Sequence, residues 1–494
     1  MTMSELTGGG AKAVGAGWTP RLAMSLIAMT LVLEVISISS YMTGTALMPI
    51  GEHFKTDQLA WVMTAFLLVG AIASPLAGKL ADIYGKRRLF LSCLTIAIVG
   101  ALMSALAPTY LLLVVGRGLF GCLIPCMFLA YSLMRDIFPP STLALAVSIT
   151  AAGMGLMSVP SPFIAGILLD AFSFRSLFWF YGVTLIVLLP LILLTTAESP
   201  VRTRARVDFI GAILLGAGLA AVLMGVSFGP TWGWGAASTL ALLVGGVAAL
   251  AVWVLTSLRS REPLIDLRFF RDGPMLKICS AAGMGYGTMT LYTTMLPIMC
   301  MAPATLALGY GFGIDAKEFA ILQAPIGVGS VIGGLAVGRL IRTVNPALTK
   351  ITGVSLMLVA SILTAFWHTD KAPLLIWVLI FGLGMGTFTA SIPNLVIASV
   401  PASVQASMSS MVQVSQSLIS SVFPVVAFAM LNSHVATVVE GYAYYTDGGI
   451  TLSFVLSAAG AAVSILVATT LLRRRHPGPS HDATIAPTRD TVIV

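Results

Sequence analysis

The sequence predicts an all-α integral membrane protein in which two six-helix bundles flank two additional transmembrane helices. Hydrophobic residues make up 57% of the 494 residues and charged residues only 9%, and the mean hydropathy is +0.98. A water-soluble fold is excluded, because a soluble chain of this length needs far more polar side chains to cover its surface. Apolar stretches that can cross a bilayer, which takes about 20 residues, recur along the whole chain.

We identify fourteen such stretches. They are residues 22–48, 59–79, 89–107, 109–132, 143–170, 176–195, 209–229, 236–257, 274–300, 316–341, 347–367, 373–398, 406–431 and 450–471. The even number places both ends of the chain on the same side of the membrane. Residues 1–21 and 473–494 are predicted to be tails, and the first tail lacks the apolar core and cleavage site of a signal peptide.

Basic residues indicate which side the tails occupy. If the N-terminus is cytoplasmic, the outer loops contain only four of the 27 basic residues: Lys55, Arg175, Lys317 and Lys371. Because Lys and Arg accumulate in cytoplasmic loops, we expect cytoplasmic termini, in the inner membrane of a bacterium. The net charge of +8 then reflects loops that face anionic lipid headgroups, and it does not indicate a nucleic-acid partner.

A weak internal repeat suggests the domain organisation. Residues 69–80 and 328–340 share a pattern of small residues that ends in Gly-Lys/Arg-Leu. Each lies in the second span of a six-span block if the spans at 209–257 are set aside. Two such blocks are typical of secondary transporters, although any two helices rich in small residues look alike. The predicted units are an N-terminal bundle (22–196), an inserted helix pair (197–272) and a C-terminal bundle (273–472).

The cytoplasmic end of the second predicted span reads "GKLADIYGKRR", from Gly78 to Arg88. It resembles the loop motif G-x-L-a-D-r-x-G-r-r of the major facilitator superfamily. The match implies a conformational latch between the two bundles, to which Gly78, Asp82, Gly85 and Arg87 contribute. Gly78 allows close helix contact and Gly85 a tight reversal, while the Asp82 carboxylate can bind a basic partner or a helix N-terminus.

Two further stretches resemble motifs of the same superfamily. In "VVGRGLFGCLIP", Arg117 matches the arginine of the fourth-span motif, but Phe120 replaces the usual glutamine. In "SVPSPFIAGILL", Pro162 and Gly166 match the fifth-span antiporter motif, which implies a kinked and closely packed helix, and Pro160 is an additional proline. Ser and Ala stand where that motif has further glycines.

The whole chain resembles the fourteen-span drug:proton antiporter family. Members often carry an Asp near the end of the first span, where this chain has Ser40. The acid lies six positions earlier, at Glu34, which is the only carboxyl group that we place near the middle of a span.

Glu34 and Arg117 form the predicted proton-coupling site. The helical rise places Glu34 roughly 18 Å into the membrane, and Arg117 reaches a comparable depth from the outer side. Burial favours the neutral form of a carboxyl group and a nearby guanidinium favours the ionised form, so the pair could bind and release protons at physiological pH. The alternative is a static ion pair that only fixes helix packing.

The resemblance implies proton-coupled efflux of cationic or lipophilic compounds, with the proton gradient as energy source. Protonation of Glu34 from outside would release the substrate, and return to the inward state would release the proton. Met and Phe suit an adaptable cavity. By span position, the candidate cavity residues are Tyr41, Met42, Phe128, Tyr131, Tyr286, Tyr292, Asn394, Gln413 and Gln416.

Other functional classes find less support in the sequence. The five cysteines lie in apolar spans without the spacing of a metal site, the Gly-rich stretches lack the context of a nucleotide loop, and no catalytic constellation occurs. We therefore predict a monomeric transporter without cofactor or metal that is not an enzyme. Two alternatives remain, namely export of a specific endogenous solute or lipid by the same fold, and a sensor or scaffold without transport.

Overall fold

The computed structural model describes residues 17–472, apart from residues 57–59, 158–159, 203–207, 261–262, 264–266, 268–273, 315, 341–342, 401–403 and 440–441. Most of the predicted N-terminal tail and the whole C-terminal tail therefore lie outside the described residues. So do the basic residues Arg204, Arg206 and Arg473 to Arg475 of the predicted cytoplasmic segments.

Helices make up the N-terminal half. Their bounds are α1 (Pro20–Thr45), α2 (Leu47–Phe54), α3 (Ala60–Tyr84), α4 (Lys86–Leu106), α5 (Tyr110–Phe120), α6 (Cys126–Ile137), α7 (Pro140–Leu156), α8 (Pro160–Ala171) and α9 (Arg175–Thr195). Local chemistry explains several of the helix starts. Thr19 caps α1 directly before Pro20, and Thr109 caps α5, each accepting a hydrogen bond from a backbone N–H of the first turn;.

The remainder of the chain is also mainly helical. Its elements are α10 (Phe209–Trp232), α11 (Ala237–Arg259), α12 (Pro274–Cys300), α13 (Ala316–Leu340), α14 (Pro346–Phe366), α15 (Lys371–Ser399), α16 (Gln405–Asn432), β1 (Val435–Val439), β2 (Tyr442–Tyr445) and α17 (Asp447–Leu472). The strands form an antiparallel hairpin in which Val439 pairs with Tyr442. This hairpin departs from the all-α prediction.

Twelve helices in the described part of the chain are long and apolar enough to cross a membrane. Two of the fourteen predicted spans are not among them. The predicted span 143–170 is divided into α7 and α8, and Pro160 begins the second helix. The predicted span 274–300 is one continuous helix, α12, in which polar side chains such as Thr288 and Thr293 lower the hydropathy. The number fourteen therefore stays a prediction.

The fourth predicted span is interrupted near its middle. Gly121–Leu123 form a 3-10 turn between α5 and α6, and Pro125 follows. Proline has no N–H to donate within a helix and clashes with the preceding turn, which explains the break.

Two clusters of buried hydrophobic side chains correspond to the two halves. One cluster is built almost entirely from α1 to α9, and the other from α12 to α17 with three residues of the inserted pair: Leu215, Leu219 and Trp253. Helix α10 packs against both α3 and α16. The Trp61 and Phe228 rings lie 4.5 Å apart at this contact. The inserted pair is thus attached to both halves.

The two halves contact each other through α3 with α16 and through α7 with α13 and α15. Glycine allows these backbones to approach. A Cβ at Gly78 would lie 2.9 Å from the Ala406 carbonyl oxygen, and one at Gly338 would lie 2.9 Å from the Ser148 Cβ. We call the end of the bundle where α3 ends and α4 begins the loop end. The contacts at Gly78 and Gly338 close the molecule there.

We predict that Gly386→Ala destabilises the C-terminal half, whereas Gly166→Ala does not. A Cβ at Gly386 would overlap the Ser330 backbone of α13, and a Cβ at Gly166 meets nothing within 4 Å. Overpacking should lower the stability by about 1–3 kcal/mol, whereas Ala in an open helical position is stabilising by up to about 1 kcal/mol. Thermal unfolding of the two purified variants, followed by size-exclusion chromatography, measures the difference. Equal melting temperatures would contradict the packing described for α13 and α15.

Candidate functional site

A cavity of about 220 Å³ lies between the two halves. The described residues that line it come from both of them: Ser37, Met127, Phe128, Tyr131 and Ala151 from the N-terminal half, and Tyr286, Met289, Thr293, Ser330, Met385, Thr389, Ile392, Pro393, Val396, Gln405, Ser409, Val412, Gln413 and Gln416 from the C-terminal half. A cavity with this position can bind a solute and be opened by a relative movement of the halves.

Five of the predicted cavity residues line this cavity: Phe128, Tyr131, Tyr286, Gln413 and Gln416. Gln416 is hydrogen-bonded to Tyr286, whose ring packs edge-on against Phe388 at 5.1 Å. Sequence reasoning missed the other lining residues, although helical periodicity could have found many of them. Ser409, Val412, Gln413 and Gln416 recur at the spacing of one helix face.

Three other predicted cavity residues lie elsewhere. Tyr292 is stacked on Phe381 with ring centroids 3.7 Å apart, and its hydroxyl lies 2.9 Å from that of Thr364. Asn394 donates to the Ala390 carbonyl one turn earlier in α15. Met42 is buried in the core of the N-terminal half. None of the three lines the described cavity, because span position alone does not fix the rotation of a helix. The side chain of Tyr41 lies outside the described residues.

Glu34 is buried against α7, beside the cavity. Its side chain is 3% exposed, and neither carboxyl oxygen has a hydrogen-bond partner among the described residues. The Oε1 atom packs so closely on Gly153 that any Cβ there would overlap it. One turn earlier, the Thr30 and Thr150 hydroxyls are hydrogen-bonded at 2.8 Å. An ionised carboxylate would be costly in this position, since nothing in the described surroundings compensates its charge.

Arg117 does not pair with Glu34. Its fully buried guanidinium lies 4.8 Å from the Phe66 ring centroid and 5.3 Å from that of Phe120, and Nε donates to the Val62 carbonyl oxygen at 3.2 Å. The ion pairs of the described residues, Lys86 with Asp136 and His368 with Asp447, include neither Glu34 nor Arg117. The structure therefore does not contain the predicted Glu34–Arg117 ion pair. A role of either residue in proton coupling stays a prediction.

The aromatic rings explain how Arg117 is accommodated. Rings of Phe66, Phe120 and Phe178 surround its guanidinium, and cation–π attraction offsets part of the desolvation cost;. Phe120, which replaces the usual glutamine of the motif, is one of these rings. Sequence reasoning also missed Lys350, another buried basic residue. Its side chain is fully buried on α14, and Nζ has no hydrogen-bond partner within the part of the chain that the structure describes.

Two residues of the loop motif, Asp82 and Gly78, contact the other half, and their role as a latch stays a prediction. The Asp82 carboxylate accepts hydrogen bonds from the Ser407 backbone N–H at 3.0 Å and from its hydroxyl at 2.7 Å. Ser407 lies in the first turn of α16, so Asp82 caps that helix from the other half;. Gly78 packs one turn away on Ala406 and Ser410.

The rest of the motif is held within the N-terminal half. Gly85 has a φ of +113°, which favours glycine and reverses the chain into α4;. The Glu198 carboxylate accepts from the backbone N–H groups of Arg87 and Arg88 at 3.0 and 3.2 Å. Lys86 pairs with Asp136 at 2.6 Å. Arg87 thus supports the loop through its backbone and through a side-chain bond to the Leu193 carbonyl.

A second polar contact between the halves involves the cavity residue Gln405. Arg135 on α6 donates to the Val400 carbonyl at 2.8 Å and to the side-chain oxygen of Gln405, which lines the cavity. Beside it, α7 and α13 touch where Ala152 meets Gly334, at a site where a Cβ on Gly334 would overlap Ala152. Ala152 directly follows the cavity residue Ala151 and directly precedes Gly153.

The fifth-span motif is only partly realised. Pro160 begins α8, and the two residues before it lie outside the described residues, as does the side chain of Pro162. Gly166 has open space around its Cα. The close packing that the motif implies is therefore not observed at Gly166.

The comparisons with known proteins agree with this geometry. The model of the Major Facilitator Superfamily matches residues 29–424. The chain belongs to this superfamily. The match covers most of the described chain, including eleven of the twelve helices that are long and apolar enough to cross a membrane, at least in part.

Proteins similar to this chain include an MFS-type transporter and a multidrug resistance protein homolog of one bacterium. An uncharacterized MFS-type transporter of Mycobacterium tuberculosis is 27% identical over 347 residues, which are 68% of this chain and 49% of the relative. The chain thus spans about half the length of that relative. A multidrug resistance protein B homolog of the same species is 29% identical over 389 residues, or 74% of this chain and 69% of the relative.

Solved structures confirm the fold. A human organic anion transporter superposes with a TM-score of 0.63 at 13% identity, and the match covers 91% of this chain and all of that one (100%). At this identity the likeness concerns the fold alone.

We predict that Asp82→Asn loosens the first turn of α16. Loss of the charged acceptor should weaken the bonds to Ser407 by roughly 1.5–3 kcal/mol, so backbone amides of residues 405–410 should exchange about tenfold faster or more. Hydrogen–deuterium exchange with mass spectrometry measures this. Asp447→Asn, at the far end of the bundle, is the control and should leave these amides unchanged. Unaltered exchange in Asp82→Asn would show that the cap does not hold the halves together.

Proposed function

We propose that this protein is a proton-coupled secondary transporter that exports amphipathic or cationic small molecules by alternating access, as a multidrug efflux antiporter. One observation carries the proposal: a cavity shared by both halves lies beside a buried carboxyl group that has no hydrogen-bond partner among the described residues. Superfamily membership and the relative described as a multidrug resistance homolog support it. An intramembrane acid of this kind is functional by default.

We also propose a topology. The divided helix pair α7–α8 and the continuous helix α12 would cross the membrane with the twelve candidate spans, giving fourteen. Both termini would be cytoplasmic, at the loop end, in agreement with the distribution of basic residues. The chain would form two six-helix bundles joined by α10 and α11, and it would act as a monomer in the inner membrane, with the proton gradient and no cofactor.

The proposed coupling runs through α7. Glu34 presses on Gly153, and the neighbouring Ala152 presses on Gly334 of the other half. In the closed arrangement the carboxyl group is shielded from water, and such burial favours its neutral, protonated form over the ionised form. When the loop end opens, water would reach the carboxyl group and the proton would leave toward the cytoplasm. The ionised Glu34 would then penalise a return of α7 to this packing against α13.

An exchanger must change conformation only when it carries either the substrate or the proton, and this arrangement would meet that condition. An empty transporter with an ionised Glu34 should not close at the loop end, whereas a protonated one should. With substrate in the cavity, closure at the loop end would not require a proton on Glu34. Substrate would be carried outward and the proton inward by the same conformational change, although the two bind at different positions.

We predict that Glu34→Gln loses proton-driven transport. In inverted membrane vesicles, ethidium accumulation driven by a proton gradient should fall by about tenfold or more, because the amide cannot exchange a proton. Exchange of ethidium between two pools without a gradient should persist, because glutamine matches the protonated carboxyl group in shape.

Glu318→Gln is the matched control, since Glu318 lies in the first turn of α13 and does not line the cavity. It should transport as the parent protein does. Gradient-driven accumulation that survives in Glu34→Gln would overturn the proposed role of Glu34. Absence of both accumulation and exchange in the parent protein would overturn export of permanent cations such as ethidium. It would overturn the efflux proposal itself only if uncharged aromatic compounds also fail to bind.

A further inference from the structure

The described lining of the central cavity contains no Asp, Glu, Lys, Arg or His. Its polar groups are hydroxyls and amides, including those of Tyr131, Tyr286, Gln413 and Gln416. Its apolar lining includes Met127, Met289 and Met385, together with Phe128 and aliphatic side chains. Such a surface is polarisable and adaptable, and it carries no fixed charge.

The nearest charged groups do not favour a cation. Glu34 packs on Gly153 and is not among the described lining residues, and it interacts electrostatically with the lining residue Tyr131. The guanidinium of Arg135 donates a hydrogen bond to the side-chain oxygen of the cavity residue Gln405. A cation in the cavity would therefore approach a positive charge through one glutamine and would find no carboxylate in the described lining.

The desolvation cost of an ion and the energy of a cation–π contact can be compared to decide between a cationic and an uncharged ligand. Removing an ion from water costs several kcal/mol in a protein interior. A cation–π contact returns about 0.5–2 kcal/mol, and the Tyr286 ring is already engaged by Phe388 and Gln416. Cation–π contacts with the aromatic lining are therefore too weak to offset the desolvation cost of a permanent cation. An uncharged aromatic molecule avoids this cost and still gains contact with methionine sulfur and aromatic rings.

We propose that the cavity selects uncharged, flat aromatic molecules with hydrogen-bonding groups on their edges, and that it discriminates against permanent cations. This inference rests on the proposed efflux function and narrows its substrate class. The amides of Gln413 and Gln416 and the hydroxyl of Thr293 supply both donors and acceptors for such edges. Exchange of one proton for an uncharged substrate moves one positive charge inward, so transport would be electrogenic.

Three acridines that share one ring system but differ in charge test whether the cavity prefers uncharged molecules. They are acridine, which is uncharged at about pH 8, the permanent cation N-methylacridinium, and the anion acridine-9-carboxylate. Their binding to the purified full-length protein can be followed by ligand fluorescence at that pH. Acridine should bind about tenfold more tightly than N-methylacridinium or better, which corresponds to about 1.4 kcal/mol.

A charge variant provides the matched comparison. Gln413→Glu places a carboxylate in the cavity and should shift the preference toward N-methylacridinium by about tenfold. Gln323→Glu adds the same charge on α13, outside the described lining, and should leave the preference unchanged. On solid-supported membranes at about pH 8, acridine should produce transient currents with the parent protein and none with Glu34→Gln.

Two outcomes would overturn the inference while leaving efflux intact. One is equal or tighter binding of N-methylacridinium by the parent protein, and the other is acridine exchange that gives no current. If none of the three acridines binds, and ethidium shows neither accumulation nor exchange in vesicles, the efflux proposal fails and the narrower inference fails with it.

Discussion

Close approach of helix backbones between the two halves is the constraint on which this structure depends. Lipid tails are as apolar as the helices, so burial of apolar surface gives little drive for helix association within a membrane. Contact must come from close packing and from satisfied backbone groups. Gly78 on α3, and Gly334 and Gly338 on α13, allow that packing. Asp82 and Arg135 satisfy backbone groups of the partner half at the same end.

The cavity and the buried acid are consequences of this closure. Because the halves meet at the loop end, the helices leave between them a space that both halves line. Helix α7 belongs to both features, since Ala151 lines the cavity, Ala152 touches α13 and Gly153 touches Glu34. Three consecutive residues thus connect the space for a solute, the contact between halves and the titratable group. Our proposed mechanism uses that connection.

Much of the fold could be predicted from the sequence, because long apolar stretches and the loop motif are local signals. The interhalf role of Gly78 and Asp82 came from a motif whose spacing is specific. The Glu34–Arg117 pair failed because depth in the membrane does not determine which face of a helix a side chain occupies. Tyr292 and Asn394 failed for the same reason. Lys350 was overlooked because it lies near a helix start, where sequence alone cannot separate a buried lysine from a loop residue.

The distance between α7 and α13 at the loop end, as a function of pH, tests the central claim most directly. Spin labels at Ser141→Cys and Arg339→Cys, on exposed positions of these helices, report it in a background without the native cysteines. In substrate-free protein, pulsed electron paramagnetic resonance should show short distances at about pH 5 and a growing population of longer ones at about pH 9, because ionised Glu34 is not tolerated in the closed packing.

In the same labelled protein carrying Glu34→Gln, our account predicts short distances at both pH values. A distance distribution that does not change with pH in the parent protein, or one that changes equally in Glu34→Gln, would contradict the claim that the charge of Glu34 controls closure.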